Sequence, residues 1–401
     1  MNIVSGFSKN EKIRLTAITL GIYFFILPMD CMQIWGSASV LRIYAVIPII
    51  TCLLSGQARY FKLSKLSKLP IIYLAWVFIS LLYSISFEQT LSSALSLALN
   101  LTLVLVMGCC YSYNDREKRM LLMCLVLSAW FAAGSMVIFG DYSVNGRLTL
   151  AYGDTAQDAN YTNGYMLFGF SFHLSRFLRK KNLMHLILAF GLFVVMLLTG
   201  SRGAMIAYIL CIIFCVTLEV KNGKRPIQAL ILTCIMAFVA YQVFNIVLNS
   251  MDAAVSSRFS AEYLLEHGTT GRSDIWINLL EKFKGANILR ELFGHGYGTS
   301  AMLNTTTSVT TAGMVAHNLW IDNLITIGII GVIIQITMQA NYIRVVLKTH
   351  VYTMICAYGA FLVMCMSLSL TNYKPIWCAM IMIMLLADNG NNQEYGDIWE
   401  C

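Results

Sequence analysis

Long apolar runs recur along the whole chain, and nearly all the charge is confined to the short segments between them. A helix needs about 20 mostly apolar residues to cross a hydrocarbon layer, within a range of roughly 17–25. Lipid offers no partner to a free backbone N–H or C=O, so such a run spans a bilayer only as a helix or in a closed barrel. Runs that meet or approach this length fall at 13–29, 37–55, 70–85, 90–110, 120–140, 162–178, 183–199, 204–220, 227–250, 317–337, 351–370 and 376–387. The pattern predicts an all-α polytopic membrane protein with about 12 transmembrane helices. Composition excludes the soluble alternative: 58% of the residues are hydrophobic and 12% charged, whereas soluble domains carry about 25% charged residues. The first run is followed by no small-residue cleavage site and reads as a retained span. Pro70, Pro226 and Pro375 stand where runs begin, and Pro48 lies inside the second, where it predicts a kink.

The formal charge of +8 raises the question of a nucleic-acid partner, and the placement of the basic residues answers it. Most of them alternate with the runs: Lys9, Lys12 and Arg14, then Arg59 to Lys68, Arg116 to Arg119, Arg176 to Lys181, Lys221 to Arg225, and Arg344 with Lys348. Lys and Arg in short loops mark the cytoplasmic side, so both termini are expected there and no nucleic acid is implied. The opposite side receives Arg147, Arg202, Arg258, Arg272, Lys282, Lys284, Arg290 and Lys374, with Arg42 inside the second run. The chain then divides into spans one to nine (1–250), an outer loop (251–316), spans ten to twelve (317–387) and a polar cytoplasmic tail (388–401). A smaller outer segment lies at 141–161. Within the large loop, Ile275, Trp276, Leu279, Leu280 and Phe283 share one helical face, which predicts an amphipathic helix over 273–283 that lies on the membrane or caps the bundle. The 12 cysteines fall mostly inside apolar runs without a CxxC pair, so neither a disulfide framework nor a zinc site is implied.

Common catalytic signatures are absent. There is no HExxH, GxSxG or Walker A lysine, and no D-x-D to hold a metal against a sugar nucleotide. The glycines of "FGHGYGTS", Gly294, Gly296 and Gly298, follow no strand and read as a structural turn.

Three outer stretches hold the candidate site residues. In "LTGSRGA" Arg202 opens a helix, so its guanidinium and the free N–H groups of the helix start could share one anion; snorkelling to lipid headgroups is the alternative. In "TTGRSDIW" Arg272 again precedes a helix, with Thr270 or Ser273 available as N-cap; pairing with Asp274 is the alternative. Two guanidiniums at helix starts suit a pyrophosphate better than a single carboxylate. In "AHNLWIDNLITIGIIG" His317 and Asn318 stand at the outer entrance of a span, where a helix start disfavours the imidazolium and keeps the imidazole neutral, as a general base requires. The alternative is a histidine that only caps. Asp322, about one turn deeper, is an intramembrane carboxylate on a different face from His317.

The order of these motifs, S-R-G after the seventh span, an outer loop with G-R-x-D-x-W and F-G-x-G-x-G, then H-N-x-x-x-D-x-L-x-x-x-G-x-x-G, resembles the O-antigen polymerase and O-antigen ligase superfamily over most of the chain. The outer segment adds "QDANYTNGYM", similar to a D-P-N-Y segment of that group with Ala159 in place of the proline. The resemblance implies a bacterial inner-membrane glycosyltransferase that uses an undecaprenyl-pyrophosphate-linked glycan at the periplasmic face, without cofactor, metal or nucleotide sugar. It implies that Arg202 and Arg272 bind the donor pyrophosphate and that His317 activates or positions the acceptor hydroxyl, with inversion at the anomeric carbon. Asp158, Asn160 and Asn318 are then substrate-binding candidates. Arg147, Arg258 and Arg290 are candidates for a second anionic group or plain loop residues, and the outer loop becomes a lid. Expected partners are lipid-linked donor and acceptor, membrane lipid, and a chain-length regulator protein.

A polymerase joins two lipid-pyrophosphate substrates and a ligase only one, and the eight outer basic residues favour the polymerase. The ligase, which transfers the glycan to lipid A core, is the alternative. A lipid-linked-oligosaccharide flippase or transporter would show paired halves and charged positions along a deep pathway; no halves stand out here, and only Arg42 and Asp322 offer such positions. A purely structural membrane protein leaves the two arginine-led helix starts without a reason.

Overall fold

The computed structural model describes residues 12–35, 38–56, 65–141, 147–152, 155–222, 272–305, 313–368 and 373–387, with a few single positions between 242 and 256. It is built of helices: α1 (Leu15–Phe25), α2 (Val40–Tyr44), α3 (Val46–Leu54), α4 (Lys65–Ile79), α5 (Phe87–Cys109), α6 (Asp115–Phe139), α7 (Ala159–Lys180), α8 (Leu183–Leu198), α9 (Arg202–Asn222), α10 (Arg272–Lys284), α11 (Ile288–Phe293), α12 (Ser300–Leu303), α13 (Leu319–Thr349), α14 (Tyr352–Met364) and α15 (Lys374–Ala387). Two short antiparallel hairpins, β1 (Gln33–Trp35) with β2 (Ala38–Ser39) and β3 (Leu150–Tyr152) with β4 (Thr155–Gln157), link helices. Among the described residues five helical stretches are long and apolar enough to cross a membrane: Leu66–Tyr83, α5, α6, Arg202–Lys221 and α13. Shorter apolar helices accompany them, so the chain is an all-α polytopic membrane protein. The expected span at 227–250 and the tail at 388–401 fall outside the described residues, apart from single positions in the former.

Contacts between distant segments sort the loops into two ends. At one end Arg14 pairs with Glu117 at 2.6 Å, the Asn114 amide donates to the Lys12 carbonyl, and Tyr352 stacks under Arg179 while its hydroxyl donates to the Leu218 carbonyl. At the other, Leu148 N–H donates to Leu198, Ile85 N–H to His295, and Tyr373 Oη to the Tyr161 carbonyl at 2.6 Å. These are the two groups of loops that the alternation of basic segments separates.

The centre of the bundle is α7, the least apolar of the long helices, packed by α6, α8, α9 and α14 and buried along most of its length. Small residues permit this approach: a methyl group on Gly169 would meet the Ala129 methyl at 2.6 Å. The Asn163 amide nitrogen is bonded inside the bundle, to the Ala159 carbonyl and to Thr199 Oγ1 at 2.7 and 2.8 Å, which offsets the cost of burying it.

Prolines behave in two ways. Pro48 cannot donate to the Tyr44 carbonyl, and the helix breaks there, α2 ending at Tyr44 and α3 beginning at Val46. Pro70 was expected at a helix start, yet α4 begins at Lys65 and carries Pro70 inside. The Leu66 carbonyl that Pro70 leaves without its helical donor accepts the Tyr342 hydroxyl instead, at 3.4 Å.

The tenth run is longer than expected and discontinuous: α13 reaches Thr349 and breaks at Gly328, φ 69° and ψ −176°. The carbonyls released at the break are taken up by the glycine-rich segment. His295 N–H donates to Ile325, Gly296 N–H to Thr326, and Trp76 Nε1 to Ile327 at 3.0 Å. Gly294, at φ 84°, and Gly328 let the two backbones cross, since a Cβ on either would strike the other's chain. The "FGHGYGTS" glycines are therefore structural, as their sequence context predicts. The amphipathic helix α10 caps the bundle, burying Ile275 and Leu279 against Ala316 and Ile325, with Trp276 Nε1 bonded to the Ala316 carbonyl at 2.6 Å.

Candidate functional site

The turn between α8 and α9 carries Arg202, the first residue of α9. Ser201 caps this helix, its Oγ accepting from Ala204 N–H at 3.2 Å. The same hydroxyl donates to Asn160 Oδ1 at 2.5 Å, and Asn160 N–H and Nδ2 both donate to Asp158 Oδ1 at 2.6 Å. Asp158 is itself the N-cap of α7. The QDANY and SRG motifs, about forty residues apart, thus form one bonded chain from Asp158 through Asn160 to Ser201. Arg147 joins it from the β3 side, donating from Nε to the Thr199 carbonyl at 2.9 Å.

Ser367, at the outer end of the segment after α14, ties the second arginine in. Arg272 Nη1 donates to its carbonyl at 2.9 Å, and a methyl group on Gly203 would meet its hydroxyl at 2.7 Å. Arg202 therefore lies between a serine bonded to Asn160 and a glycine packed on the residue that holds Arg272. Since Arg272 is the first described residue of α10, Ser273 lies within that helix rather than at its cap; Thr270 is outside the described residues.

His317 stands at the entrance of α13 with φ 47°, a left-handed conformation that costs a non-glycine residue energy and often marks a functional position. The next residue, Asn318, caps α13 by accepting from Trp320 and Ile321 N–H, and Leu319 N–H donates to the Cys365 carbonyl, which anchors this entrance beside Ser367. Burial lowers the His317 pKa, the charge of Arg272 lowers it further and that of Asp158 opposes the change. The shift favours the neutral imidazole, and its Nδ1 is buried without a hydrogen-bond partner among the described residues.

The structure thus gathers Arg202, Arg272, His317, Asn318, Asp158, Asn160 and Arg147 at one end of the bundle. Arg290 is used differently: its guanidinium donates to the carbonyls of Tyr83 and Gly294 at 2.6 and 3.3 Å, fastening α11 to the turn after α4. Arg258 lies outside the described residues. Asp322 accepts from the Ser300 hydroxyl and faces a cavity of about 420 Å³ beside the cluster, whose wall also includes Asp30, Gln157, Tyr161 and Lys374. Tyr161, three residues after Asp158 and part of the cavity wall, joins the two regions.

Sequence reading overlooked Asp30, Gln157 and Ser367, and counted Lys374 only as an outer positive charge. Asp30 carried a usable signal, a carboxylate directly after the first apolar run. Ser367 carried none, because it acts through its backbone carbonyl. Among the described residues no group of three or more His, Cys, Asp or Glu side chains could hold a metal ion.

Residues 187–336 match the family model described as O-antigen ligase, which bears out the resemblance to the O-antigen polymerase and ligase superfamily. The matched segment contains Arg202, Arg272, His317 and Asn318, while Arg147, Asp158 and Asn160 precede it. No curated protein matches the chain. The family supports O-antigen polymerase or ligase activity in broad terms, and so a glycosyltransferase-like membrane enzyme of O-antigen assembly.

Proposed function

We propose that this protein is an O-antigen polymerase of the bacterial inner membrane. It transfers an undecaprenyl-pyrophosphate-linked glycan to a hydroxyl of a second lipid-linked repeat unit at the periplasmic face. The observation that carries the reading is that Ser367 receives Arg272 at its carbonyl and packs against Gly203, the residue after Arg202, with His317 alongside. Arg202 presents its guanidinium at the N-terminus of α9, where free N–H groups add positive potential. Arg272 presents a second planar donor set suited to phosphate oxygens.

In this mechanism the neutral imidazole of His317 accepts the proton of the acceptor hydroxyl as its oxygen attacks the anomeric carbon. The bond from that carbon to the pyrophosphate oxygen breaks, and both electrons leave with the lipid pyrophosphate. Attack opposite the leaving group inverts the anomeric configuration. The negative charge that grows on the departing oxygen is met by the two arginines, whose effect is amplified where water is excluded. Asp158 and Asn160 hold the SRG turn in register, Arg147 supports it from the other side, and the segment 251–316 acts as a lid. Lipid-linked donor and acceptor, membrane lipid and a chain-length regulator are the proposed partners, with both chain termini in the cytoplasm.

The sequence assigns eight basic residues to the outer side; with Arg290 spent on backbone carbonyls and Lys374 paired with Asp30, the remaining six still favour two lipid-pyrophosphate substrates over one, and hence polymerase over ligase. Deletion in the source cell tests the choice. A polymerase deletion leaves lipid A core capped by a single repeat unit, whereas bare core would assign the ligase reaction instead.

A further inference from the structure

The cavity beside the arginine cluster differs from it in chemistry. Its volume of about 420 Å³ lies in the lower half of the range for small-ligand sites, about 300–1,000 Å³. Its wall includes Tyr161 and Asp322 but none of Arg202, Arg272 or His317. The charged groups in the wall are two carboxylates, Asp30 and Asp322, and one ammonium, Lys374. Lys374 Nζ is already paired with Asp30 Oδ2 at 2.7 Å, both side chains largely buried. A pyrophosphate would enter a wall with no spare positive charge and a surplus carboxylate, which repels it.

A neutral polyol fits the same wall. Carboxylates accept two hydroxyl hydrogens each, a buried ammonium donates, and tyrosine rings provide apolar faces for the C–H surfaces of a pyranose. Asp30 is held for such a role by the Ser39 hydroxyl at 2.9 Å, and Asp322 by Ser300. Gln157 is anchored through Nε2 on the Tyr165 hydroxyl at 2.9 Å, which leaves Oε1 a buried acceptor without a partner among the described residues. A buried ion pair gives little net stability, so the Lys374–Asp30 pair calls for another reason to be kept in an apolar bundle.

We propose that this cavity is a sugar-binding subsite that seats a neutral ring of the lipid-linked glycan next to the bond being made, with Asp30, Lys374, Gln157 and Asp322 as its polar contacts. The inference rests on the glycosyltransferase reading above and assigns a place to the glycan, as that reading assigns one to the pyrophosphate. Tyr161, which contributes to the cavity and follows Asp158 by three residues, sets the boundary between the two.

The test uses the full-length protein and three probes: lipid-linked repeat units from the source cell, the free oligosaccharide released from them by mild acid, and sugar-free undecaprenyl pyrophosphate. Two variants are compared with wild type, Gln157→Leu and the double variant Asp30→Asn with Lys374→Met, which removes the ion pair without leaving one buried charge alone. Loss of a hydrogen bond to a charged partner corresponds to about tenfold weaker binding. The double variant should therefore raise the KM of lipid-linked repeat units about tenfold, and Gln157→Leu, which loses a neutral hydrogen bond, about fivefold, while inhibition by undecaprenyl pyrophosphate stays within about twofold. The free oligosaccharide lacks a leaving group and serves only as acceptor. A parallel rise in its KM assigns the cavity to the acceptor sugar, and an unchanged value assigns it to the donor sugar. Unchanged KM values for both, or a matching loss of undecaprenyl pyrophosphate inhibition, overturn the subsite. If wild type extends nothing, direct binding of the oligosaccharide still decides. Binding that the variants weaken upholds the cavity while the polymerase reading falls, and no binding to wild type overturns the cavity as well.

Discussion

Arg272 Nη1 donates a hydrogen bond to the backbone carbonyl of Ser367 at 2.9 Å. Through that carbonyl a helix from the outer loop is fixed to the end of the bundle where α9 and α13 begin. A backbone acceptor does not vary with sequence, so the position of the guanidinium depends on the arginine alone.

Arg272→Lys should therefore fail to hold the Ser367 carbonyl and a phosphate at once, because a single ammonium lacks the planar fork. Loss of one transition-state charge contact costs about 10²–10³ in rate. Turnover of lipid-linked repeat units should fall by about that factor in Arg272→Ala and by most of it in Arg272→Lys. Membrane levels measured by immunoblot should be unchanged.

The proton-accepting role of His317 predicts a pH profile. Burial and Arg272 lower its pKa, so the acidic limb of kcat/KM should rise through an apparent pKa below the ordinary imidazole value of about 6.5 and reach a plateau by neutral pH. Asp158 opposes that shift. Asp158→Asn, which retains a good N-cap for α7, removes the opposing charge and should move the limb to lower pH. A limb that moves to higher pH would contradict the assignment.

Asn160 and Ser201 join the two motifs at 2.5 Å. Asn160→Ala and Ser201→Ala should each raise the KM for lipid-linked substrate, and the double variant should be little worse than either alone. A double-mutant cycle on kcat/KM should return a coupling of roughly 0.5–3 kcal/mol. Simple additivity would show that the bond does not position Arg202.

Gly328 breaks α13 at φ 69° and crosses the α11 backbone at Leu292. Gly328→Ala combines a left-handed alanine, roughly 1–3 kcal/mol, with a backbone clash, so thermal unfolding in detergent should shift down by several degrees. The conservative surface change Ile333→Leu, at an exposed position of the same helix, should leave the transition in place.

Much of this arrangement was legible in the sequence. Apolar run length and basic loops identified the fold class and sorted the loops into two ends, because lipid enforces both rules locally. Arg202, Arg272 and His317 stand out as candidates because a charged or titratable residue at a helix start in an apolar chain needs a reason, but the packing that gathers them at one end is not written in their local sequence. The continuation of α4 through Pro70 was not legible, since it depends on a hydroxyl from Tyr342, far away in the chain. Nor was the full length of α13, whose break is sealed by N–H groups of the glycine-rich segment. The cavity was hidden for the same reason. Asp30 and Lys374 lie at opposite ends of the chain, and only packing makes them a pair. Arg290 shows the converse, an outer arginine legible as charge whose partners are backbone carbonyls.

The most direct measurement is incubation of the purified protein with lipid-linked repeat units alone, and with lipid A core added, followed by sizing of the glycan products. The account predicts a ladder of multiples of the repeat unit, still attached to lipid pyrophosphate, without any lipid A core. Products that form only when lipid A core is present, with one glycan joined per core, would contradict it.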